Sequence, residues 1–277
     1  MAVTSFIPEI WNSQLLLDFR EQTVAVALTN REYEGDARTG NVVTINTAAA
    51  IPVADYKAAG RTTSASAVSS VSQDLLIDQE KSFDFYVDDI DRAQAAGSMD
   101  AFTRSAGEGM AEDADKFVLA TAVTGALAAN VTTDATALTL PDVAWDKIRD
   151  LRKVLNKQHV PQSQRVLVIN AEFEAILLGA SSKFTHADVS GTTQGLRDAA
   201  LGRILGFDVY VSENLPVTAN PQALAFYRPA VAYVSQVTNT EAMRAQDKFA
   251  DRLRGLHVYG GKVIRDEAVA VYTNTAV

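Results

Sequence analysis

The sequence predicts an α+β fold, and three observations carry that prediction. Strand-period alternation surrounds residues 43–46 and returns from 71 to 87. An alanine-rich stretch over 99–129 is the strongest helix candidate, and residues 142–211 alternate helix with strand before the chain closes on further strands. Ahead of the first strand, residues 4–30 read as helical in part. Trp11, Leu15 and Phe19, with Leu16 and Val26 less regularly, make one apolar stripe, and Pro8 and Glu9 suit a helix start. Such a terminal helix docks either on its own domain or on a neighbour.

Between 31 and 98, Val43 and Ile45 alternate with Thr44 and Asn46. Val71, Leu75 and Ile77, then Phe83, Phe85 and Val87, repeat the period. Residues 58–72 are small and polar. The expectation is two long strands joined by a long flexible tip, a ribbon that buries too little to stand alone and needs a partner surface. Over 99–129, Phe102, Met110, Phe117 and Val118 give bulk, and Ser98 serves as N-cap with Asp100 behind it. A helix of that span runs roughly 46 Å. Gly107 and Gly109 weaken its middle and allow a bend.

Asp142 is expected to cap a helix with Ala144, Ile148, Leu151 and Leu155 on one face, ended by Pro161. Residues 165–170 make a buried strand, and Ala171–Leu178 a short helix stopped by Gly179. A loop over 179–195 leads to a helix at Leu196–Leu205 stopped by Gly206. Phe207, Val209 and Val211 mark a strand. After a loop come strands at 223–227 and 230–238, a mixed stretch to 254, and two final strands, Leu256–Tyr259 and Lys262–Tyr272. Gly260-Gly261 reads as the hairpin turn between them.

Composition excludes several classes. With 25 basic and 34 acidic residues the chain carries −9, which disfavours tight non-specific binding to DNA. There is no cysteine, so disulfides, thiolate metal sites and cysteine nucleophiles are absent. No run approaches the ~20 apolar residues of a bilayer span, and Met1–Glu9 lacks the pattern of a signal peptide. A soluble protein made in the cytoplasm is expected, with no membrane partner.

Catalytic signals are missing. His159, His186 and His257 lie far apart with no metal-ligand spacing. Asp88, Asp89 and Asp91 lack the glycine and distal glutamate of a calcium loop. Glu112, Asp113 and Asp115 fall on different sides of their helix. Gly107-Glu108-Gly109 lacks the third glycine of a dinucleotide loop, and Val263 stands where a phosphate loop needs serine or threonine. No catalytic, cofactor-binding or metal-binding residue is nominated, and the chain is expected not to be an enzyme.

Three stretches carry a resemblance. The first comprises GNVVTIN (40–46), VADY (53–56) and LIDQEKSFDFYVDDIDRAQ (76–94); the second is GRILGFDVYVSENLP (202–216); the third is FADRLRGLHVYGGKVIR (249–265). In order and spacing they resemble the major capsid proteins of tailed double-stranded-DNA bacteriophages. The resemblance implies an N-terminal arm at 1–35 and an extended loop (E-loop) hairpin at 36–96 reaching over an adjacent subunit. It implies a peripheral domain at 97–139 and 226–277 with a spine helix at 99–129, and an axial domain at 140–225. It further implies pentamers and hexamers closing into an icosahedral shell around double-stranded DNA, without tight specific binding of that DNA. The chain would be made in the host bacterial cytoplasm and reside in the virion capsid.

Some relatives carry a long scaffolding segment removed by a protease. Here the chain enters the arm at once, so a separate scaffolding protein or none is expected, with a portal and decoration proteins as further partners. Lys57 is the only lysine near mid-loop, and single chains on a denaturing gel are expected of the mature shell. Intersubunit contacts are expected of Trp11, Leu15 and Phe19, of Arg61 at the loop tip, of Asp88, Asp89 and Asp91 near its base, and of Arg252 and Arg254. Two other readings stay open: an encapsulin-like nanocompartment, and a soluble α+β enzyme or binding module using the hairpin as a lid.

Overall fold

The computed structural model describes residues 20–21, 23–35, 40–48, 51, 53–63, 70–88, 100–179, 202–245 and 247–276. Helix and sheet are mixed as the sequence predicts. β1 (Val42–Ala48) and β2 (Ser70–Leu76) form an antiparallel ribbon, with Val42 opposite Leu76 and Ala48 opposite Ser70. β3 (Gln79–Asp88), β10 (Ala250–Val263) and β9 (Val231–Arg244) make a three-stranded sheet in the order β3-β10-β9. A six-stranded sheet runs β4-β11-β8-β5-β7-β6, from β4 (Val131–Asp134) and β11 (Val269–Asn274) through β8 (Gln222–Tyr227) and β5 (Arg165–Ile169) to β7 (Phe207–Val211) and β6 (Arg203–Ile204). This sheet joins strands from both segments expected of a peripheral domain to strands from the segment expected of an axial one.

The long strand expected over 71–88 is two strands. The chain breaks at Ile77-Asp78, so that β2 pairs β1 while β3 pairs β10. The cause lies far away in sequence. A Cβ on Gly260 would stand 2.1 Å from the Leu76 carbonyl oxygen and 2.8 Å from Ile77 Cα, so the hairpin root presses directly on the backbone of β10. Gly260 and Gly261 are therefore not the expected turn. Both lie inside β10, which continues beside β9 past a register shift at Val258/Tyr259, and Gly261 gives room to the Phe117 ring. Gly255 plays the same part opposite Phe83, whose ring covers it.

The hairpin root also has more intrachain support than its composition suggests. Val43, Ile45, Leu75 and Ile77 bury against Ala232 and Val234 of β9. Val42 and Leu76, on the other face, stay exposed, as does Val71 further along the buried face toward the tip.

α1 (Asp100–Thr124) falls short of the expected 129, and Ser98 lies outside the described residues. It stops where Gly125 meets Val263. A Cβ on Gly125 would stand 2.5 Å from Val263 Cγ2, so the position has no space for a side chain. Ala114, Val118, Leu119 and Ala122 face the core. α2 (Pro141–Lys157) is capped at Leu140 rather than Asp142, because proline takes the first helical position and moves the start back. Its buried face is Ala144, Ile148, Leu151 and Leu155, packed on the six-stranded sheet's core. β5 and most of β8 are buried throughout, as strands covered on both faces are.

α3 (Ala171–Leu177) starts from Asn170, whose Oδ1 accepts from the backbone N–H of Phe173 (3.1 Å) and of Gln222 (3.0 Å). The helix expected over Leu196–Leu205 fails in its described part. Arg203–Ile204 is strand, and Leu205 (φ 47°) with Gly206 (φ 86°) makes the two-residue turn into β7. Gly206 thus ends no helix; it supplies the positive φ of a hairpin.

Candidate assembly surfaces

Residues 20–21 and 23–30 lie against α1 and are pinned there by a buried carboxylate. Asp115 is fully buried. Its Oδ1 accepts from the Ala25 N–H (2.6 Å) and the Val26 N–H (3.4 Å), and its Oδ2 accepts from Asn214 Nδ2 (3.1 Å). One side chain so ties the root of the N-terminal segment, the long helix and the loop after β7. Ala25 and Leu28 bury beside it, and Asn30 bridges to Ala232 of β9. Glu112, three residues before Asp115, faces the same N-terminal segment rather than the different side expected, and only Asp113 turns away. Glu112 pairs with Lys116 (2.6 Å) and Arg20 (3.3 Å), which hold its carboxyl below the usual range, the Lys116 bond foremost. Asp113 accepts from the Tyr259 hydroxyl (2.6 Å) and pairs with Lys81.

The hairpin tip is ordered by its own caps rather than featureless. Asp55 Oδ1 accepts from the N–H of Lys57 (2.9 Å) and Ala58 (3.3 Å), and a single helical turn follows. It closes with Arg61 N–H on the Tyr56 carbonyl (2.8 Å) and Gly60 N–H on the Lys57 carbonyl (3.3 Å), Gly60 standing at φ 67°. That pair of bonds is a Schellman stop. Around this turn Ile51, Val53 and Tyr56 are exposed, Val53 at 99%. Three apolar side chains on a prefolded projection are a contact surface without a cover among the described residues.

The three-stranded sheet carries a ladder of charge pairs. Arg252 donates from Nε and Nη2 to both oxygens of Asp84, and Arg254 donates from Nε (3.0 Å) and Nη2 (2.6 Å) to Glu241 across the β9–β10 pair. The Arg252 bond holds the Asp84 carboxyl below its usual range. Arg252 and Lys248 stand 5.5 and 5.7 Å from the centre of the exposed Tyr86 ring, and Phe249 is 82% exposed nearby. The hollow of about 290 Å³ between these strands holds Asp84, Glu241, Arg252 and Arg254, each already paired, with no nucleophile beside a base.

Toward α1 the same sheet holds His257. Its Nε2 is 3.1 Å from Ser235 Oγ and 3.4 Å from the Tyr233 hydroxyl, with the Tyr259 ring tilted against it at 4.7 Å. Burial lowers its pKa, Asp113 opposing weakly, and burial pushes Tyr233 up to about 12. A histidine held neutral stabilises the fold above the ordinary histidine range, and that contribution is lost as pH falls through its lowered value. The melting temperature is therefore expected to fall between pH 7 and 5, and less steeply in His257→Gln. Parallel slopes for the two chains would refute the assignment.

Of the residues expected at interfaces, Arg61 lies in the tip turn, exposed, at φ 61°. Arg252 and Arg254 stand together on the sheet, each engaged within its own chain. Asp88 ends β3 opposite Ala250. Trp11, Leu15, Phe19, Asp89 and Asp91 lie outside the described residues. Sequence reasoning missed Asp84 and Glu241, which alternation places opposite the arginines, and it passed over Asp115.

A chain whose surfaces of interest are an arm root, a projecting ribbon and a charge-laced sheet is a structural building block. The sequence profile of the phage capsid protein family matches residues 72–274. A solved chain from Mycobacterium phage Che8 is 49% identical over 98% of both chains, with a TM-score of 0.90. The capsid of cyanophage P-SCSP1u (14% identity, TM-score 0.83, 100% and 95% coverage) and the mature capsid of bacteriophage PhiM1 (12%, 0.77, 98% and 93%) share the fold. No curated protein sequence matches. The chain belongs to the phage capsid protein family and is a structural protein of the capsid shell, assembled from multiple copies. The nanocompartment reading is not favoured.

Proposed function

We propose that the chain forms pentamers and hexamers that close into an icosahedral shell around double-stranded DNA. The observation that carries this is the ribbon β1–β2, seated at its root and projecting a capped apolar tip that its own chain leaves uncovered. A shell built of interlocking copies supplies that cover. In this reading residues 1–35 are the arm, 36–96 the E-loop, 97–139 and 226–277 the peripheral domain, and 140–225 the axial domain, with β4 and β11 completing the axial sheet. Trp11, Leu15, Phe19, Arg61, Asp88, Asp89, Asp91, Arg252 and Arg254 meet neighbouring copies. The chain does no catalysis and needs no cofactor. It is made in the host bacterial cytoplasm and works with a portal and decoration proteins, and with a separate scaffolding protein or none. DNA is enclosed, not gripped, by a wall in which each chain carries −9.

Sedimentation and negative-stain microscopy of the purified chain near neutral pH test this. Capsomers or closed shells are expected, and deleting residues 53–61 should abolish them while leaving a folded chain. A chain that stays a monodisperse monomer would overturn the reading.

A further inference from the structure

The six-stranded sheet has a basic end and an acidic end. At the start of β5, Arg152, Arg165 and Arg203 line a cavity of about 280 Å³ whose floor is the Leu205-Gly206 turn. Arg228 stands alongside and shares Asp208 with Arg203, at 3.8 and 3.7 Å. Of these four arginines two share one carboxylate, on a chain that is acidic overall.

Arg165 is the telling member. It is only 3% exposed, and it holds the carbonyls of Pro161 and Val160 through Nε (2.8 Å) and Nη2 (2.6 Å). Among the described residues no carboxylate balances its charge, and Arg152 beside it adds a like one. Buried cations are ordinarily paired, so a buried guanidinium fixed by two carbonyls at the wall of a small cavity is a built anion site. The Nε of Arg228 is also buried without a hydrogen-bond partner.

We propose that this cavity binds a carboxylate of a second copy of the chain, which rests on the shell-protein reading above. The cavity is the size of one side chain and concave, whereas a DNA backbone offers a convex row of phosphates that a single pocket does not follow. The chain itself supplies the matching charge. At the far end of β5, Glu172 and Glu174 stand on α3, and Glu213 accepts from the Ala171 N–H. Burial raises the Glu174 carboxyl, which no cation balances among the described residues. Two complementary patches at opposite ends of one sheet define a head-to-tail contact, the kind that closes into rings. The acidic end of one copy thus enters the arginine cavity of the next around each capsomer.

The absence of native cysteine makes the contact readable. In a chain carrying Arg203→Cys and Glu172→Cys, the two sites are about 17 Å apart along β5 at ~3.3 Å per residue, too far for an intrachain disulfide. Oxidised assemblies of this double variant are expected to run as a ladder of multimers on a non-reducing denaturing gel, while each single variant runs as one chain. A second, milder pair guards against misfolding: Arg203→Glu should lower assembly at least roughly tenfold, and adding Glu172→Arg to it should restore assembly. Shells without a ladder, and with no restoration, overturn the proposal and leave the shell reading standing. Native chain that forms no capsomers or shells overturns the shell reading itself. Salt-sensitive retention of duplex DNA by the native chain, lost in Arg152→Ser, would show a phosphate site and overturn the carboxylate assignment.

Discussion

Replacing Asp115 with alanine is expected to release the root of the N-terminal segment and to cost roughly 3 kcal/mol of stability. The carboxylate is fully buried and accepts from two backbone N–H groups and from Asn214. Removing it strands Ala25 N–H and the Asn214 amide in a packed interior, and each orphaned donor costs about 1–3 kcal/mol. Asp115→Asn should fall between, because its oxygen keeps the Ala25 bond while its amide faces that of Asn214. Urea unfolding gives the magnitude, and limited proteolysis between 20 and 28 gives the location. If Asp115→Ala unfolds at the native midpoint with no new cleavage, the residue does not hold that segment in place.

Gly260→Val is expected to be at least as damaging, and Gly260→Ala nearly so. The clash is set by Cβ itself, at 2.1 Å from the Leu76 oxygen, and its partners are backbone atoms that no rotamer change can move. Overpacking a built core typically costs about 1–3 kcal/mol and more where only backbone can yield. The yielding element is the hairpin root. Hydrogen exchange should therefore quicken first in β1 and β2, and assembly should fail before the six-stranded sheet loosens. Gly107→Ala is the control. Its Cβ meets nothing within 4 Å, so removing a helix-interior glycine should stabilise the chain by up to about 1 kcal/mol. Equal effects at the two glycines would refute the close-approach account.

These contrasts explain what the sequence disclosed and what it hid. α2 was legible because four buried positions repeat at helical spacing, and β5 because four apolar positions, Val166 to Ile169, run together between turns. The α+β class and the ribbon followed from the same local periods. Gly260-Gly261 looked like a turn because paired glycines make turns locally; here the demand comes from Leu76, distant in sequence. Leu205-Gly206 erred the other way, its positive φ serving a hairpin where a helix end was expected. Asp115 gave no sign of burial because its partners, Ala25 and Asn214, are 90 and 99 residues off. Arg252 and Arg254 were nominated by residue type alone, and their intrachain partners needed the register of β3 and β9.

In the proposed shell, where the hairpin tip docks on a neighbouring copy, its capped turn bears on how fast and how reversibly copies can join. Fixing a residue's backbone costs about 1–2 kcal/mol, and an unstructured tip would surrender that for every residue at the moment of docking. Asp55 and Gly60 make the tip surrender it during folding instead. Encounter then needs no search by the loop, and the three apolar side chains around it can hold weakly yet seat quickly. Weak, quick contacts let a misplaced copy leave before its neighbours trap it, which is how a closed surface of many identical parts corrects its own errors.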